Sequence, residues 1–487
     1  MGKLFGTDGI RGKAGHFPLV QPLILSLGHN LIRLLRQQVG GKPKIVIGWD
    51  TRESSPWLAQ TIAQAASREG AEICLAGVLP TSAISYLTKK HQFQAGVMIS
   101  ASHNPYDDNG IKIFQQDGFK LADHQEEELE TLLLGASEYP EPERTSFSPV
   151  RESEDLKKVE IKTAKPVGWS QRLESYPGPS GLAAEIEPDF SYHRDYVDFL
   201  RRLFPRSESG KGIKMVVDCA NGASSGISPS LFEELGFKIV AMNTQPNGKN
   251  INANCGALYP QTLAARVKAE GANLGVAFDG DADRAIFVDE KGKILNGDYT
   301  LYILANFLQQ RNQLALPAVV GTVMSNMGLE VALSRLGLRL VRTRVGDRYV
   351  LEEMLRSGAN LGGERSGHTI LLDLCPTGDG LLTTLKLTET MLLTGKKLSE
   401  LAAGLIEFPQ YLLNVPVKRR VDFSNLPEWE KTITHFKKKL GPYGRIEVRY
   451  SGTEPVVRVM VEAEEESLVQ QSAEAVAQFI HNHLGRE

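Results

Sequence analysis

At 487 residues the chain has the length for three or four domains of roughly 100–200 residues each. Its 55 basic and 58 acidic residues, a formal charge of −3, lack the basic excess of a nucleic-acid-binding surface but leave room for local phosphate pockets. No apolar run approaches the ~20 residues that span a bilayer, and Met1–Gly6 holds no signal-peptide core. A soluble cytoplasmic protein without nucleic-acid or membrane partner is expected.

Phe5-Gly6-Thr7-Asp8-Gly9-Ile10-Arg11-Gly12 opens the chain with three glycines and one fixed cation. A flexible leader reads this way, and so does an anion site, because Arg11 flanked by glycines can approach a phosphate closely. Hydrophobic periodicity predicts a helix from about Val20 to Gln38, then the strand Lys44–Gly48, ended by Asp50-Thr51-Arg52. Pro56 starts another helix, the strand Glu72–Gly77 follows, and a further helix runs to about Lys90. This alternation predicts a doubly wound α/β unit.

The strand that begins at Ala95 breaks off into Met98-Ile99-Ser100-Ala101-Ser102-His103-Asn104-Pro105, closely followed by Asn109-Gly110-Ile111-Lys112. Open α/β sheets place ligands at the carboxyl ends of their strands, so Ser102 is expected in a tight loop facing a cleft. His103 is adjacent, Pro105 stiffens the exit, and Gly110 is expected to supply a backbone geometry closed to other residues. A polar turn capping a strand would look similar in isolation. Three later loops at comparable breaks favour a site.

From about Glu138 to Asp189 the composition shifts towards Pro, Glu, Ser and Lys, with Tyr176-Pro177-Gly178-Pro179-Ser180-Gly181 as a breaker cluster. This reads as a surface excursion ending the first domain, or as a partner-binding insertion. A helix from about Tyr192 to Leu203 leads into the strand Lys214–Asp218, the turn Asn221-Gly222-Ala223, the strand Lys238–Ala241 and a helix over Thr262–Glu270. The strand Asn273–Phe278 then runs into Asp279-Gly280-Asp281-Ala282-Asp283-Arg284. Carboxylates at i, i+2 and i+4 can converge on one hard cation such as Mg²⁺. An acidic surface turn is the alternative; an EF-hand is not, because the loop continues directly into the strand Ala285–Val288.

A third unit comprises a helix over Tyr299–Gln309, the strand Ala318–Thr322, a helix from Gly328, and Val345-Gly346-Asp347-Arg348-Tyr349. It reaches Leu361-Gly362-Gly363-Glu364-Arg365-Ser366-Gly367-His368, where a carboxylate beside a hydroxyl suits sugar hydroxyls. An ordinary glycine-rich turn fits the same letters. After a helix over Gly380–Leu393, the final ~80 residues form a smaller unit containing Arg449-Tyr450-Ser451-Gly452-Thr453-Glu454-Pro455. Amides around Gly452, the hydroxyls of Ser451 and Thr453, and the cations Arg449 and Arg458 make a phosphate cradle, where a plain β-turn is the other reading. Cys74, Cys219, Cys255 and Cys375 lack Cys-x-x-Cys spacing and are expected as reduced thiols in or near the core.

Taken jointly, the Ser102 loop, the triple-Asp loop, the Gly-Glu-x-Ser-Gly-His loop and the final Arg449–Thr453 loop resemble those of the α-D-phosphohexomutase family over essentially the whole chain. The resemblance implies three similar mixed-sheet α/β domains plus a smaller α+β C-terminal domain around a central cleft. The corresponding ranges are 1–185, 186–293, 294–403 and 404–487. It also implies that Ser102 is a phosphoserine whose phosphate shares Mg²⁺ with Asp279, Asp281 and Asp283. Arg284, Glu364 and Ser366 would then hold the phosphoryl group and sugar, and Arg449, Ser451, Gly452, Thr453 and Arg458 the distal phosphate. Arg11, Lys112, His103 and His368 are the candidates for acid, base or charge-stabilising work, and a histidine such as His368 can equally be a structural hydrogen-bonding residue.

Phe5–Gly12, Ser100–Pro105, Val345–Val350, Gly321–Asn326 and Arg458–Glu462 are similar to the branch that acts on glucosamine phosphates. The expected reaction interconverts glucosamine 6-phosphate and glucosamine 1-phosphate through a hexosamine or hexose 1,6-bisphosphate, in a monomer or homodimer. Position 365 departs from the branch pattern, with arginine where glutamine is usual and glucose or mannose enzymes carry methionine. Hexose preference therefore stays open, as does a non-catalytic phosphosugar-binding role.

Overall fold

The computed structural model describes residues 4–6, 8–38, 41–135, 186–205, 210, 212–451 and 455–485. The chain falls into two compact units. One comprises Met1–Val197, Asn221–Ser230 and Thr244–Ala253; the other comprises Asp198–Ala220, Leu231–Asn243 and Asn254–Glu487. The expected excursion and its breaker cluster lie largely outside the described residues.

In the first sheet, β1 (Phe5–Gly6), β2 (Gly9–Lys13), β3 (Lys44–Trp49), β4 (Glu72–Val78), β5 (Ala95–Ile99) and β6 (Asp108–Gln115) stand in the order β1-β2-β6-β5-β3-β4. β3 pairs parallel with β4 and β5, but β5 pairs antiparallel with β6, and β6 with β2. The doubly wound expectation is thus corrected for half of the sheet. The chain leaving the Ser102 loop returns directly beside β5 instead of crossing over through a helix.

The helix Gln21–Gln38 buries Leu23, Ile24, Leu27, Leu31 and Leu35, the i, i+4, i+8 stripe of a helix lying on a core. With Leu58 and Ile62 of the helix Ser55–Arg68, it covers Ile45 and Ile47 of β3. Side chains alternate along a strand, so Val46 and Gly48 face the other side. There the helix Thr81–Lys90 lies so close that a Cβ at Gly48 would be 2.4 Å from Ile84, and one at Gly96 2.0 Å from Thr88. Gly110 is also a correction: it is crowded within β6, where a Cβ would lie 2.6 Å from the Ser100 carbonyl, and the positive φ of this loop falls on Ser102 itself.

The pattern recurs. β7 (Lys214–Asp218) pairs parallel with β8 (Lys238–Met242) and β9 (Leu274–Phe278), and β9 pairs antiparallel with β10 (Ala285–Asp289), edged by β11 (Ile294–Leu295). β12 (Ala318–Thr322) pairs parallel with β13 (Arg339–Thr343) and β14 (Leu361–Gly363), and β14 antiparallel with β15 (Thr369–Leu371). The smaller last sheet, β16 (Gln410–Pro416), β17 (Arg445–Tyr450) and β18 (Val456–Glu462) in the order β16-β18-β17, is wholly antiparallel. These are three similar mixed α/β domains and a smaller C-terminal one. All four sequence-identified loops join a strand to its antiparallel neighbour.

Cys219, Cys255 and Cys375 are buried and Cys74 half-buried, all as free thiols. Among the described residues no helix is long and apolar enough to cross a membrane. The two helices over β3 meet at Gly28, where a Cβ would lie 2.7 Å from Ala65 Cβ and 2.8 Å from the Ile62 carbonyl. Gly28→Val is expected to lower stability by ~1–3 kcal/mol through overpacking, read as a reduced urea midpoint.

Candidate active site

Ser102 is buried at the turn from β5 to β6 with φ +53°, a left-handed conformation that costs a non-glycine residue on the order of 1 kcal/mol or more. Surrounding groups hold it there. The Arg52 guanidinium donates to the carbonyls of Ser102 (3.2 Å) and Asn104 (2.7 Å), and the Asn252 side-chain amide donates to the same two carbonyls (2.9 and 3.1 Å). The Ser102 amide donates to Ser100 Oγ at 2.9 Å. Arg52 is wholly buried and paired with the equally buried Asp50, which also accepts the Ser55 hydroxyl at 2.8 Å. In the sequence Asp50-Thr51-Arg52 reads only as the end of a strand, and Asn252 carries no local mark. Opposite charges on either side of one residue, straight after an apolar strand, were the available signal for Asp50 and Arg52.

Three cations gather on one carboxylate beside this loop. Asp8 accepts from Arg11 and Lys120 and lies 3.1 Å from Lys112 Nζ, while Arg11 Nη1 reaches the Ala101 carbonyl at 3.3 Å. Lys112 is buried on β6 opposite Met98. The glycine-flanked Arg11 is thus part of a built cluster of charged groups rather than a leader. The sequence does not mark Asp8 and Lys120 as partners, because the β6 return that assembles them is not a local feature. His103 is half-buried.

In the second unit Asp279, Asp281 and Asp283 are buried on the β9–β10 turn, each offering one carboxylate oxygen, and these oxygens lie within 4.8 Å of one another. Three converging hard, anionic donors fit a divalent cation. Burial alone would weaken the charge on Arg284, but Asp279, Asp283, Glu364 and Asp281 outweigh it and raise its pKa; its Nε stands 3.9 Å from Asp279 and from Asp283.

This turn is tied to the next. Arg284 bridges His368 in antiparallel fashion, and the Ala285 amide donates to the Gly367 carbonyl at 3.1 Å. The Gly378 amide donates to His368 Nε2 at 3.0 Å, which assigns the imidazole proton to Nδ1, the nitrogen 3.7 Å from Asp283. Burial lowers the His368 pKa, yet Asp283, Asp347 and Glu364 prevail and raise it. This is the arrangement of a histidine that orients a carboxylate.

On the β14–β15 turn Glu364 is nearly buried, accepts the Gly346 amide at 3.0 Å, and takes the hydroxyl of the exposed Ser366 at 3.4 Å. Arg365 is paired with Glu407 at 2.7 Å and lies 3.9 Å from Asp298. Burial pushes the Asp298 carboxyl up to about 6, against the opposing pull of the Asn326 amide and Arg365. In the last sheet Arg449 stands directly across from Arg458, and burial followed by that neighbour lowers the Arg449 pKa. Two facing guanidiniums repel unless an anion joins them. Ser451 is buried, with its carbonyl accepting Arg420 at 2.5 Å, a third cation that sequence reading missed. Gly452 and Thr453 lie outside the described residues.

Four sequence profiles, described as phosphoglucomutase/phosphomannomutase alpha/beta/alpha domains I, II and III and C-terminal domain, match residues 2–140, 194–292, 296–408 and 412–479. The chain belongs to this family, the α-D-phosphohexomutases, which are enzymes that move phosphate within a sugar. It is 43% identical over 483 residues to the phosphoglucosamine mutase of Syntrophotalea carbinolica, covering 99% of this chain and 98% of that one. It is 44% identical over 482 residues to the phosphoglucosamine mutase of Myxococcus xanthus, covering 99% and 97%. Among solved structures, the fold matches a phosphoglucomutase/phosphomannomutase family protein from Burkholderia thailandensis (TM-score 0.73, 22% identity, 99% and 98% covered). It also matches the Aspergillus fumigatus N-acetylphosphoglucosamine mutase in complex with GlcNAc-6P and magnesium (TM-score 0.65, 20% identity, 99% and 96% covered).

Arg52→Ala would strand the Asp50 carboxylate in the interior, and a loss of about 3–5 kcal/mol in denaturant unfolding is expected. Asp298 gives a pH signature. Because its folded pKa lies above the ordinary 3.8, ionisation costs more in the folded chain, and its contribution to stability declines as pH rises from 3.8 through about 6. The shift corresponds to about 3 kcal/mol at neutral pH. Asp298→Asn cannot ionise, so its urea midpoint is expected to gain on the parent's between pH 4 and pH 7.

Proposed function

We propose that this chain is a phosphoglucosamine mutase that interconverts glucosamine 6-phosphate and glucosamine 1-phosphate in the cytoplasm, with a phosphorylated Ser102 as donor and a 1,6-bisphosphate as intermediate and activator. The observation that carries the reading is identity above 40% to phosphoglucosamine mutases along practically the full length of both chains. We read the chain as four domains, at 1–185, 186–293, 294–403 and 404–487, each supplying one loop.

Phosphoryl transfer asks for positioning and charge neutralisation more than for covalent invention. Arg52 and Asn252 fix the backbone of Ser102, so that its oxygen can be presented in one orientation. In the first half-reaction the bond between Ser102 Oγ and phosphorus breaks as a bond from a sugar hydroxyl oxygen forms. The hydroxyl proton leaves to a nearby base and the serine oxygen keeps the electron pair. The reverse transfer, to the opposite end of the reoriented bisphosphate, regenerates the phosphoserine. Arg11 and Lys112, both beside the Ser102 loop, neutralise the charge that develops there. Asp279, Asp281 and Asp283 would hold magnesium, which when bound supplies positive charge to the phosphoryl group in flight. His368 orients Asp283, and Arg284 steadies the phosphate.

Glu364 and Ser366 bind sugar hydroxyls. Arg449, Ser451, Gly452, Thr453 and Arg458 grip whichever phosphate is not reacting, a task that generic phosphate donors perform in either orientation.

Peptide mass spectrometry after incubation with a hexose 1,6-bisphosphate is expected to find phosphate on Ser102. Ser102→Ala should lose mutase turnover while retaining sugar-phosphate binding. A kcat/KM panel is expected to favour glucosamine 1-phosphate over glucose 1-phosphate. Turnover retained by Ser102→Ala would overturn the phosphoserine role, and preference for the hexose would move the assignment to the glucose and mannose branch.

A further inference from the structure

Arg365 sits on the sugar loop between Glu364 and Ser366, yet its charge is directed elsewhere. Its Nη2 is 2.7 Å from Glu407, a residue that precedes β16 and so belongs to the chain entering the C-terminal sheet. Glu407 is held from other sides too, by the Asn296 side-chain amide at 2.8 Å and the Tyr299 hydroxyl at 3.4 Å. The next residue is clamped through its backbone: Asn326 Oδ1 accepts the Phe408 amide at 2.9 Å and Asn326 Nδ2 donates to the Phe408 carbonyl at 3.0 Å. Glu407 and Phe408 are therefore fixed to two loops of the third domain.

The arginine's own backbone is equally constrained. The Gly297 amide donates to the Arg365 carbonyl at 2.9 Å, and a Cβ at Gly297 would lie 2.0 Å from the Glu364 carbonyl, so nothing larger than glycine lets these loops meet. A side chain rooted in a rigid loop and paired with Glu407 transmits the position of one to the other. The buried Asp298 carboxylate, 3.9 Å from the guanidinium, adds a second negative neighbour that keeps it on this side of the loop.

We propose that Arg365 is a positioning residue: through its ion pair with Glu407 it locks the sugar-binding loop to the segment carrying the C-terminal phosphate-binding sheet, and does not select the sugar by touching it. The inference rests on the function proposed above for that loop. It gives one half-exposed salt bridge a share in the coupling between the two ends of the substrate.

The test is a double-mutant cycle on the full-length enzyme with Arg365→Gln, Glu407→Gln and both together, measured with glucosamine 1-phosphate and glucose 1-phosphate. A partly exposed pair predicts that each single variant raises KM about two- to fivefold with kcat nearly unchanged. The double variant should be no worse than the worse single one, and the ratio of kcat/KM between the two sugars should stay constant. Arg365→Lys, which keeps the charge, should recover most of the loss and serves also if Arg365→Gln folds poorly. Additive effects of the two substitutions, or a changed sugar ratio in Arg365→Gln that Glu407→Gln does not share, would overturn the proposal. If the parent enzyme prefers the hexose phosphate, the glucosamine assignment fails, while the cycle still decides the coupling with that substrate.

Discussion

Three carboxylates forced together in a buried turn set the terms for much of the second unit. At ~4–5 Å separation each pair of like charges repels by about 4 kcal/mol at the effective dielectric of a protein site. Asp279, Asp281 and Asp283, with carboxylate oxygens within 4.8 Å of one another, therefore call for positive charge close by. Arg284 together with one divalent cation would balance three such charges, and the rest of the turn holds the three side chains in place. The Gly378 amide fixes the tautomer of His368, His368 faces Asp283, and the Gly380 amide donates to the Ala282 carbonyl at 2.9 Å. A Cβ at Gly378 would lie 2.5 Å from the His368 ring, so the support for the triad tolerates no side chain there.

The placement of such turns follows from one device used repeatedly. In each of the three larger sheets a central strand has parallel neighbours on both sides, and one of those neighbours turns straight back as an antiparallel strand. The turn falls at the carboxyl end of a parallel strand, where α/β sheets leave room for ligands. Because it is short and joins hydrogen-bonded strands, it is also stiff. Catalysis by positioning needs that stiffness more than it needs mobile groups.

Behind the turns lie polar networks that touch backbone carbonyls rather than ligand. Arg52 and Asn252 hold the strained Ser102 from different parts of the chain, and Arg445 and Arg342 grip the Ser325 carbonyl at 3.0 and 2.6 Å beneath the last two sheets. Arginine suits this work because its planar fork reaches several acceptors at once. In Arg445 the same group also pairs with the buried Glu462 at 2.7 Å, whose carboxylate accepts the Met327 amide at 2.9 Å.

The helices and strands around the site, the four loops and the acidic triad were legible in the letters alone. Hydrophobic period, glycine and proline breaks, and carboxylates two residues apart are local properties that survive without knowledge of the fold. The antiparallel returns were not legible, because an apolar run does not declare the direction of its partner. Nor was the crowding of Gly110, which depends on Ser100 across the sheet, or the contribution of Asn252, 150 residues from the serine whose carbonyl it holds. Arg365 marks the boundary most clearly. Its sequence position places a cation on the sugar loop, but the direction of that cation depends on Glu407, more than forty residues away. Long-range pairings of this kind arise only once the sheets have formed, so tertiary structure alone decides them.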